Sequence, residues 1–335
     1  MRFSLPHRCT LHIGVPKTGT TALQVFLAAN AERLRSHGFN YSDAARRSSG
    51  HHDLAFLCSG GYPEWAVPNE KPFDVLAHQL KQDIQANPLE LILSSENFYW
   101  LCSAEDVAQF IRGLGLHPQD TRIVIYLRQQ EDMVASWYNQ AVKALGYAGT
   151  LEQHMTENAE LWDYHRSLAA WEMAFGRSNI QIRTYTANVD ICRDFLAFLN
   201  LPEGDFKFSQ ERVNPSLNRD LLEFQRQVNQ LPLPTVEKRQ FHKALMQLSE
   251  SVASTALFST HPLLDAATRA RVRAHYAAGN TQVAKRYLDR TELFEPSTPE
   301  TEDGSLDTPP YPGLTVEKMW LIFGWLLSQS RKDTQ

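Results

Sequence analysis

The sequence has little cysteine, no long apolar run and only a small excess of charge. Its 335 residues include four cysteines, Cys9, Cys58, Cys102 and Cys192, without C-x-x-C or other zinc spacing. We therefore expect free thiols in a reducing, cytoplasmic compartment and no metal site. The net charge of −5 disfavours general nucleic-acid binding, which needs a basic face. The first residues, MRFSLPHRC, lack the apolar stretch of a signal peptide or a membrane anchor.

Residues 11–24, LHIGVPKTGTTALQ, carry the strongest local signal. A short apolar strand at 10–13 runs into a turn with two glycines, and a helix begins at Thr20. Backbone N–H groups and the positive end of the helix dipole at such a point bind phosphate. Gly14 and Gly19 permit close approach of an anion to the backbone. The polar side chains of the loop are Lys17, Thr18, Thr20 and Thr21.

The spacing of this loop differs from that of an ATP or GTP loop, G-x-x-x-x-G-K-[ST]. Here the block reads G-V-P-K-T-G-T-T, and Lys17 stands two residues before Gly19. It resembles the 5′-phosphosulfate loop of the PAPS-dependent sulfotransferases, whose usual form is P-K-[TS]-G-[TS]-[TS]. The resemblance implies that PAPS is bound here by Gly14, Pro16, Lys17, Thr18, Gly19, Thr20 and Thr21.

A second block, TRIVIYLRQQEDMVASWYNQAVK at 121–143, also resembles that family. An apolar strand ends just before Arg128, and ligands of open α/β sheets bind beyond the carboxyl ends of strands. Sulfotransferases have a serine eight residues after such an arginine, and Arg128 and Ser136 match this spacing. The resemblance implies that both hold the 3′-phosphate of PAPS. The alternative for Arg128 is a surface ion pair with Glu131 or Asp132.

Three residue positions are candidates for the proton acceptor. Glu96 ends the strand LILSSEN, where relatives place a catalytic or substrate-binding residue; the alternative is a capping or ion-paired carboxylate. His51 and His52 follow in the polar segment after the first helix, and histidine suits a base at neutral pH. The alternative is that both histidines are only exposed to solvent.

Lys17 has a different predicted role. In relatives, the lysine of this loop neutralises the oxygen of the leaving phosphate, and the alternative is a lysine that only binds the cofactor.

Weaker correspondences concern three further cofactor contacts. Tyr185 matches a strand-end tyrosine of the family, but Thr186 replaces the usual glutamate, and the alternative is a core tyrosine at the strand end. Asn214 and Ser216, in VNPSLN, resemble an element near the 3′-phosphate, although N-P-S is also a helix-start signal. The resemblance covers residues 9–200 well, 210–295 loosely and the tail not at all.

The order of elements predicts an α/β fold, a P-loop-type parallel sheet flanked by helices with a mostly helical C-terminal part. The predicted strands are 10–13, 90–95, 122–127 and 179–185. The predicted helices are about 20–36, 73–86, 104–114, a long helix after Arg128, 163–175 and 188–200. Residues 39–72 read as irregular.

The predicted organisation is a sulfotransferase domain at 1–295, a Pro-rich acidic linker at 296–313 and an apolar segment at 314–335. Within the domain, the PAPS-binding core covers about 9–200 and a helical part about 210–295. The apolar run 319–327 is too short to span a bilayer. We expect it to pack against the body or a second copy in a homodimer, with peripheral membrane contact as the alternative.

The predicted reaction moves a sulfonate from PAPS to an acceptor hydroxyl or amine, releases PAP and requires no metal. The acceptor segment mixes cationic and aromatic side chains, which suits a carbohydrate or glycolipid. These side chains are Tyr41, Arg46, Arg47, His51, His52 and Trp65. Golgi members of the family carry a membrane stem, so the resemblance without one favours a bacterial or soluble enzyme. One alternative is a P-loop nucleotide kinase, which would need a lysine after Gly19 and a magnesium-binding aspartate on a strand; this sequence shows neither. The other is a non-catalytic nucleotide-binding module on a sulfotransferase fold.

Overall fold

The computed structural model describes residues 9–186, 188–208, 216–238, 241–252, 261–295 and 311–332. The chain divides into two compact units, each assembled from three separate segments. The first unit comprises Met1–Gln129, Glu160–Val213 and Ala277–Phe294, and the second comprises Gln130–Ala159, Asn214–Tyr276 and Glu295–Gln335. The domain boundaries given above stay a prediction, and most of the linker lies outside the described residues.

The first unit contains a five-stranded sheet in which every neighbouring pair is parallel. Its strands are β1 (Cys9–His12), β2 (Phe39–Tyr41), β3 (Glu90–Ser94), β4 (Thr121–Leu127) and β5 (Ile180–Thr184), in the order β2-β3-β1-β4-β5. The chain moves to one side of β1 for two strands and then to the other side for the last two. The sheet therefore has its switch point at β1, where ligands of such sheets bind.

The helices follow in chain order. They are α1 (Thr20–Ala29), α2 (Ala31–Ser36), α3 (His52–Cys58), α4 (Phe73–Ala86), α5 (Asn97–Leu101), α6 (Ala104–Gly113), α7 (Gln130–Ala144), α8 (Leu151–Glu157), α9 (Tyr164–Phe175), α10 (Ile191–Phe198), α11 (Arg219–Asn229), α12 (Thr235–Lys238), α13 (His242–Val252), α14 (Ala266–Val283) and α15 (Val316–Lys332). A π-helical turn at Ala284–Leu288 continues α14.

The central strands are buried on both faces of the sheet. Val124 and Tyr126 point to a cluster that includes apolar side chains of α1, α2 and α10. Ile123 and Ile125 alternate with them and are equally buried, on the side where α9 contacts the sheet. This covering on both faces confirms the predicted α/β fold with a parallel sheet flanked by helices.

The second unit is helical in its described residues and has its own core. Tyr138 and Val142 of α7 pack with Leu221, Leu245 and Ile322 from α11, α13 and α15. This agrees with the predicted helical C-terminal part. The run 319–327 lies within α15, and no helix in the described part of the chain is long and apolar enough to cross a membrane.

Two local predictions of structure were wrong. The helix predicted over 20–36 is two helices: the backbone of Asn30 between them leaves the helical range (φ −111°, ψ 16°), and its side chain bonds the backbone of Lys207. Its Nδ2 donates to Lys207 O (2.9 Å) and its Oδ1 accepts from Lys207 N (2.9 Å). The segment 39–72, predicted as irregular, contains β2, paired with β3, and α3.

Candidate active site

The loop after β1 is fixed to the sheet at its base. Val15 N donates to Tyr126 O (3.0 Å), and Tyr126 N donates to Gly14 O (2.7 Å). Beyond this point Lys17 and Gly19 have positive φ angles of 64° and 79°. Gly19 is the N-cap of α1, makes no side-chain cap bond, and no acidic residue follows in the first turn. The loop therefore presents an uncapped helix N-terminus, which favours an anion.

The three threonines of the loop differ in their surroundings. Thr18 is fully buried and its hydroxyl donates to Val15 O (2.7 Å), so this side chain holds the turn itself. Its contribution to an anion would then come from the backbone N–H. Thr20 is buried and Thr21 is half-buried, both in the first turn of α1. Pro16 is buried within the loop.

Arg128 lies directly after β4 and is tied to the loop. Its Nη1 donates to Lys17 O (3.0 Å). Its guanidinium carbon lies 5.9 Å from the centroid of the Tyr185 ring. Tyr164 OH donates to Arg128 O (2.7 Å), which holds the backbone of this residue. The half-buried side chain of Arg128 is therefore brought to the same place as the loop.

Arg128 does not form the alternative ion pair with Glu131 or Asp132. Glu131 pairs with Arg273 (2.8 Å) and Asp132 pairs with Arg269 (2.6 Å). Within the described ranges, no carboxylate forms an ion pair with Arg128. The positive charge of this side chain is therefore not balanced by an adjacent acidic partner.

Tyr185 completes one side of the loop. Its backbone N donates to Leu127 O (2.7 Å), which places the residue beside the end of β4. A Cβ built on Gly19 would lie 3.4 Å from Tyr185 Cε2 and 3.2 Å from Ile191 Cγ2. The half-buried ring thus lies against Gly19, next to Arg128.

Glu96 lies beside the base of the loop. A Cβ built on Gly14 would stand 3.2 Å from both Cα and Cβ of Glu96. Glu96 occupies the N-cap position of α5, but its side chain does not cap the helix. Instead its Oε2 accepts from Gln24 Nε2 (2.9 Å). No ion pair with Glu96 occurs among the described residues. The structure therefore supports neither of the two alternative roles of this carboxylate, helix capping and ion pairing.

The adjacent histidines have different environments. His51 is fully buried, with Nε2 2.9 Å from Ser42 O, while Nδ1 accepts from Ser94 N (3.2 Å). Burial lowers the pKa of His51 to about 3. Both ring nitrogens are engaged with backbone groups, which leaves none for a substrate. His52 is half-buried, and its Nδ1 lies 2.9 Å from Ser95 Oγ.

Two residues near the site escaped the sequence reasoning. Gln24, buried on α1, connects this helix to Glu96. Its signal is a polar side chain one helical turn after Thr20, on the buried face. His12 ends β1, fully buried, with Nδ1 2.8 Å from Ser94 Oγ. Burial lowers the pKa of His12 to about 4.

The other predicted cofactor contacts stay predictions. Ser136 is half-buried on α7, in the second unit. Ser216 is exposed shortly before α11, and its carbonyl accepts from Ser249 Oγ (3.2 Å). Asn214 lies outside the described residues.

The first unit therefore gathers an uncapped helix N-terminus, two cationic side chains, an aromatic ring, a carboxylate and an imidazole. Such a set can bind an anionic nucleotide and accept a proton next to it. In the portion of the chain that is described, no group of three or more His, Cys, Asp or Glu side chains is placed to hold a metal ion.

Comparisons with known proteins add little to this geometry. No protein-family model matches the chain. An uncharacterized protein of Archaeoglobus fulgidus is 25% identical over 217 residues, a match that spans 63% of this chain and 57% of that protein. The chain thus matches little more than half of the archaeal protein's length.

Two solved structures are similar at low scores. A sulfotransferase from Alicyclobacillus acidocaldarius has a TM-score of 0.37 at 16% identity, covering 73% of this chain and 96% of that one. A sulfotransferase domain from the curacin biosynthetic pathway has a TM-score of 0.35 at 13% identity, covering 82% and 98%. Likeness at this level decides neither the fold nor the activity, which rest on the chain's own residues.

Proposed function

We propose that this protein is a PAPS-dependent sulfotransferase that transfers a sulfonate to an acceptor hydroxyl or amine and releases PAP. One observation carries the proposal: Arg128, a cation without an acidic partner among the described residues, is bonded to Lys17 of the uncapped loop. PAPS carries anionic groups at both its 5′ and 3′ positions, so its site needs two cationic clamps. A nucleotide with phosphate only at the 5′ position needs one.

The donor nucleotide fits these residues by charge and shape. The backbone from Gly14 to Thr21 and the Lys17 ammonium would hold the 5′-phosphosulfate. Arg128 would hold the 3′-phosphate through its planar fork of N–H groups. The Tyr185 ring, beside both, would contact the adenine. We also propose Ser136, Asn214 and Ser216 as contacts to the 3′-phosphate, on the basis of motif spacing alone.

Two side chains of the protein have separate roles in the proposed reaction. PAPS supplies the sulfonate and a phosphate leaving group. Lys17 balances the negative charge that develops on the bridging oxygen. The Glu96 carboxylate takes the proton from the acceptor. Gln24 Nε2 donates to Glu96 Oε2, and no donor among the described residues contacts Oε1.

The acceptor is proposed to be a carbohydrate or glycolipid. The Trp65 and Trp100 rings stack at 5.8 Å between centroids, and Trp100 Nε1 donates to Asn97 next to Glu96. Aromatic faces beside polar groups suit a sugar ring. Arg47 is engaged by Asp53 (2.8 Å) and Tyr41 is buried, so these two contribute less than predicted.

The cellular setting is also proposed. Four free cysteines support a reducing cytoplasm, and the motifs resemble bacterial-type members of the family. Large apolar side chains of α15 support the predicted contact with a second copy or a membrane surface. The exposed ones include Val316, Trp320, Phe323 and Leu327.

Calorimetric titration with PAP, ADP and AMP, without added metal, tests the proposal. We expect PAP to bind at least tenfold more tightly than ADP, because only PAP engages both clamps. Arg128→Met should bring PAP down to the affinity of ADP, with ADP itself little changed. Equal binding of PAP and ADP by the unaltered protein would overturn the proposal.

A transfer assay separates an enzyme from a binding module. The purified protein is incubated with PAPS and a panel of glycans and glycolipids, and PAP release is measured. Acceptor-dependent release that is lost in Lys17→Met supports catalysis. Tight PAP binding without release on any acceptor favours the non-catalytic module.

A further inference from the structure

We propose that Trp100 and Asn97 are positioning residues that hold His52 in the tautomer with its proton on Nε2. His52 then donates a hydrogen bond in the reaction and Glu96 alone acts as the base. The tautomer follows from the hydrogen-bond chain itself, whereas its role in catalysis rests on the proposed sulfotransferase activity.

The chain of donors begins at Trp100. An indole N–H can only donate, and Trp100 Nε1 lies 2.9 Å from Asn97 Oδ1. Reversing the Asn97 amide would set two donors against each other at this distance. The hydrogen-bond partner therefore assigns the oxygen of Asn97 to the Trp100 side. The amide nitrogen of this buried asparagine is left to face the other way.

The Asn97 amide nitrogen faces His52. Nδ2 of Asn97 lies 3.4 Å from His52 Nδ1, and an amide NH2 can only donate. The imidazole nitrogen at this position must therefore accept. A proton on Nδ1 would again place donor against donor.

The contact with Ser95 is compatible with this assignment. Its Oγ accepts from Asn97 N (3.2 Å) and lies 2.9 Å from His52 Nδ1. The hydroxyl proton is free to turn toward the imidazole. With Asn97 Nδ2 donating to Nδ1, the Ser95 hydroxyl can donate there as well, and in the neutral ring the proton belongs to Nε2.

The surroundings of Nε2 agree with a proton there. A Cβ built on Gly50 would lie 2.8 Å from His52 Nε2 and 2.9 Å from Gln24 Oε1. Both atoms thus lie against the same side of Gly50. Gln24 donates its Nε2 to Glu96 Oε2, so its side chain contacts the proposed base while its Oε1, which can only accept, lies near the same side of Gly50 as His52 Nε2.

This tautomer decides the direction of proton transfer. A neutral His52 with Nδ1 accepting and Nε2 protonated has no free lone pair for an acceptor proton. In the balanced step, the acceptor oxygen forms its bond to sulfur and its proton goes to Glu96. The sulfur–oxygen bond to the 5′-phosphate breaks, and its electron pair goes to the bridging oxygen. His52 keeps its proton and donates from Nε2 to an oxygen of the sulfonate.

The test is the ¹⁵N NMR spectrum of the full protein labelled at histidine, recorded at pH 8. His52 is assigned by the signals that disappear in His52→Gln. We expect the wild-type spectrum to show a protonated Nε2 and an unprotonated Nδ1. In Asn97→Asp, a carboxylate accepts from both neighbours, and we expect the proton to move to Nδ1. Wild-type protein with its proton on Nδ1, or on both nitrogens, would overturn the proposal.

A second variant keeps the test decisive if Asn97→Asp does not fold. Trp100→Phe keeps the aromatic ring but removes the donor that orients the amide. Asn97 is then able to turn, and we expect signals of both tautomers from His52. A spectrum identical to that of the wild type would show that Trp100 does not set the tautomer.

Kinetics test the role separately from the tautomer. Removing one donor aimed at developing charge lowers turnover by about 10²-fold, so we expect that loss in kcat for His52→Ala with KM little changed. His52→Gln retains an N–H and should recover part of the loss, whereas Glu96→Gln should not. Full activity of His52→Ala would contradict the donor role. Absence of transfer by the wild type would instead count against the proposed function and leave the NMR result standing.

Discussion

The two arginines at opposite ends of β4 differ in how their charge is satisfied. Arg122, near the start of the strand, pairs with Glu90 (2.5 Å) and donates to Thr10 Oγ1 (3.2 Å). Its guanidinium carbon also lies 4.8 Å from the Phe198 ring centroid. Arg128, just past the end of the strand, bonds the neutral carbonyl of Lys17 and lies near a tyrosine ring.

The difference separates a charge that is satisfied within the fold from one that we propose binds the nucleotide. At the amino end of the sheet, carboxylate, hydroxyl and guanidinium satisfy one another, so the cluster stabilises the fold and leaves little for a ligand. At the carboxyl end, Arg128 and Lys17 gather positive charge beside an uncapped helix N-terminus. Arg128 is held in place without an ion pair among the described residues, which is why we propose that it binds an anionic ligand.

The largest effect is expected at Lys17, the cation of the carboxyl end that we place next to the reacting bond. Lys17→Met should lower kcat by about 10²- to 10³-fold, because charge on the leaving oxygen is no longer balanced. The affinity for PAP should fall less than tenfold, since PAP retains its contacts to the loop backbone and Arg128. Steady-state kinetics and calorimetry measure the two quantities. A loss of affinity as large as the loss of kcat would make Lys17 a binding residue only.

The structural side of the comparison is tested by Arg122→Met. Both charges of its pair are mostly buried, with side chains 16% and 15% exposed. Removing one partner leaves Glu90 uncompensated, and we expect a loss of about 3 kcal/mol in the free energy of unfolding. Urea denaturation measures it, and PAP affinity at temperatures well below unfolding should stay within twofold of wild type. A large loss of PAP binding by the folded variant would remove the distinction between the two ends.

Arg128→Met is the matched variant at the other end of the same strand. We expect PAP to bind about 10- to 100-fold more weakly, or 1.4–2.8 kcal/mol, because a charge-assisted fork to a phosphate is lost. Stability should fall by about 1–2 kcal/mol, less than for Arg122→Met, since the hydrogen bond to Lys17 O is lost but no ion pair is broken among the described residues. Calorimetry and the same denaturation experiment decide. A strongly destabilised variant would show that Arg128 is structural like Arg122.

The sequence predicted local elements better than features that depend on distant residues. The strand–loop–helix at β1 and the Arg128 strand were predictable because each is a continuous run whose pattern reports its own structure. The break at Asn30 was not, since it depends on Lys207, 177 positions away. The short strand β2 is also stabilised by pairing with β3 rather than by its own three residues.

Within the site, the limits are of the same kind. His51 and His52 are adjacent and chemically identical, and only tertiary packing makes one fully buried and the other half-buried. Gln24 and Asn97 have no motif, and their importance comes from partners on other elements. A sequence pattern can therefore indicate where an anion binds, but not how the groups beside it share their protons.

A further prediction concerns the protonation of His12, which is fully buried, whereas His52 in the site is half-buried. Burial lowers the pKa of His12 from 6.5 to about 4, so the unfolded chain binds its proton more readily than the folded one. Stability should therefore fall as the pH drops from about 6.5 toward 4, by about 1.4 kcal/mol between pH 7.5 and 5.5 from this group. His12→Asn, which cannot titrate, should lose that part of the slope in denaturation at several pH values. An unchanged slope would place the dependence on other groups, such as the buried His51.

The smallest effect on stability and PAP affinity is expected at Gly19, within the loop itself. Gly19→Ala places a Cβ at φ 79°, 3.2 Å from Ile191 Cγ2 and 3.4 Å from Tyr185 Cε2. We expect a cost of about 1 kcal/mol in stability and a few-fold loss of PAP affinity, because the new methyl group displaces the tyrosine ring.

Gly38→Ala is the control, with φ 89° and nothing within 4 Å of the added Cβ. It carries the same backbone strain away from the loop, so it should cost a similar stability and leave PAP binding unchanged. Calorimetry on both variants separates strain from contact. If both lose affinity equally, global destabilisation explains the effect; if neither does, the ring of Tyr185 takes no part in holding the nucleotide.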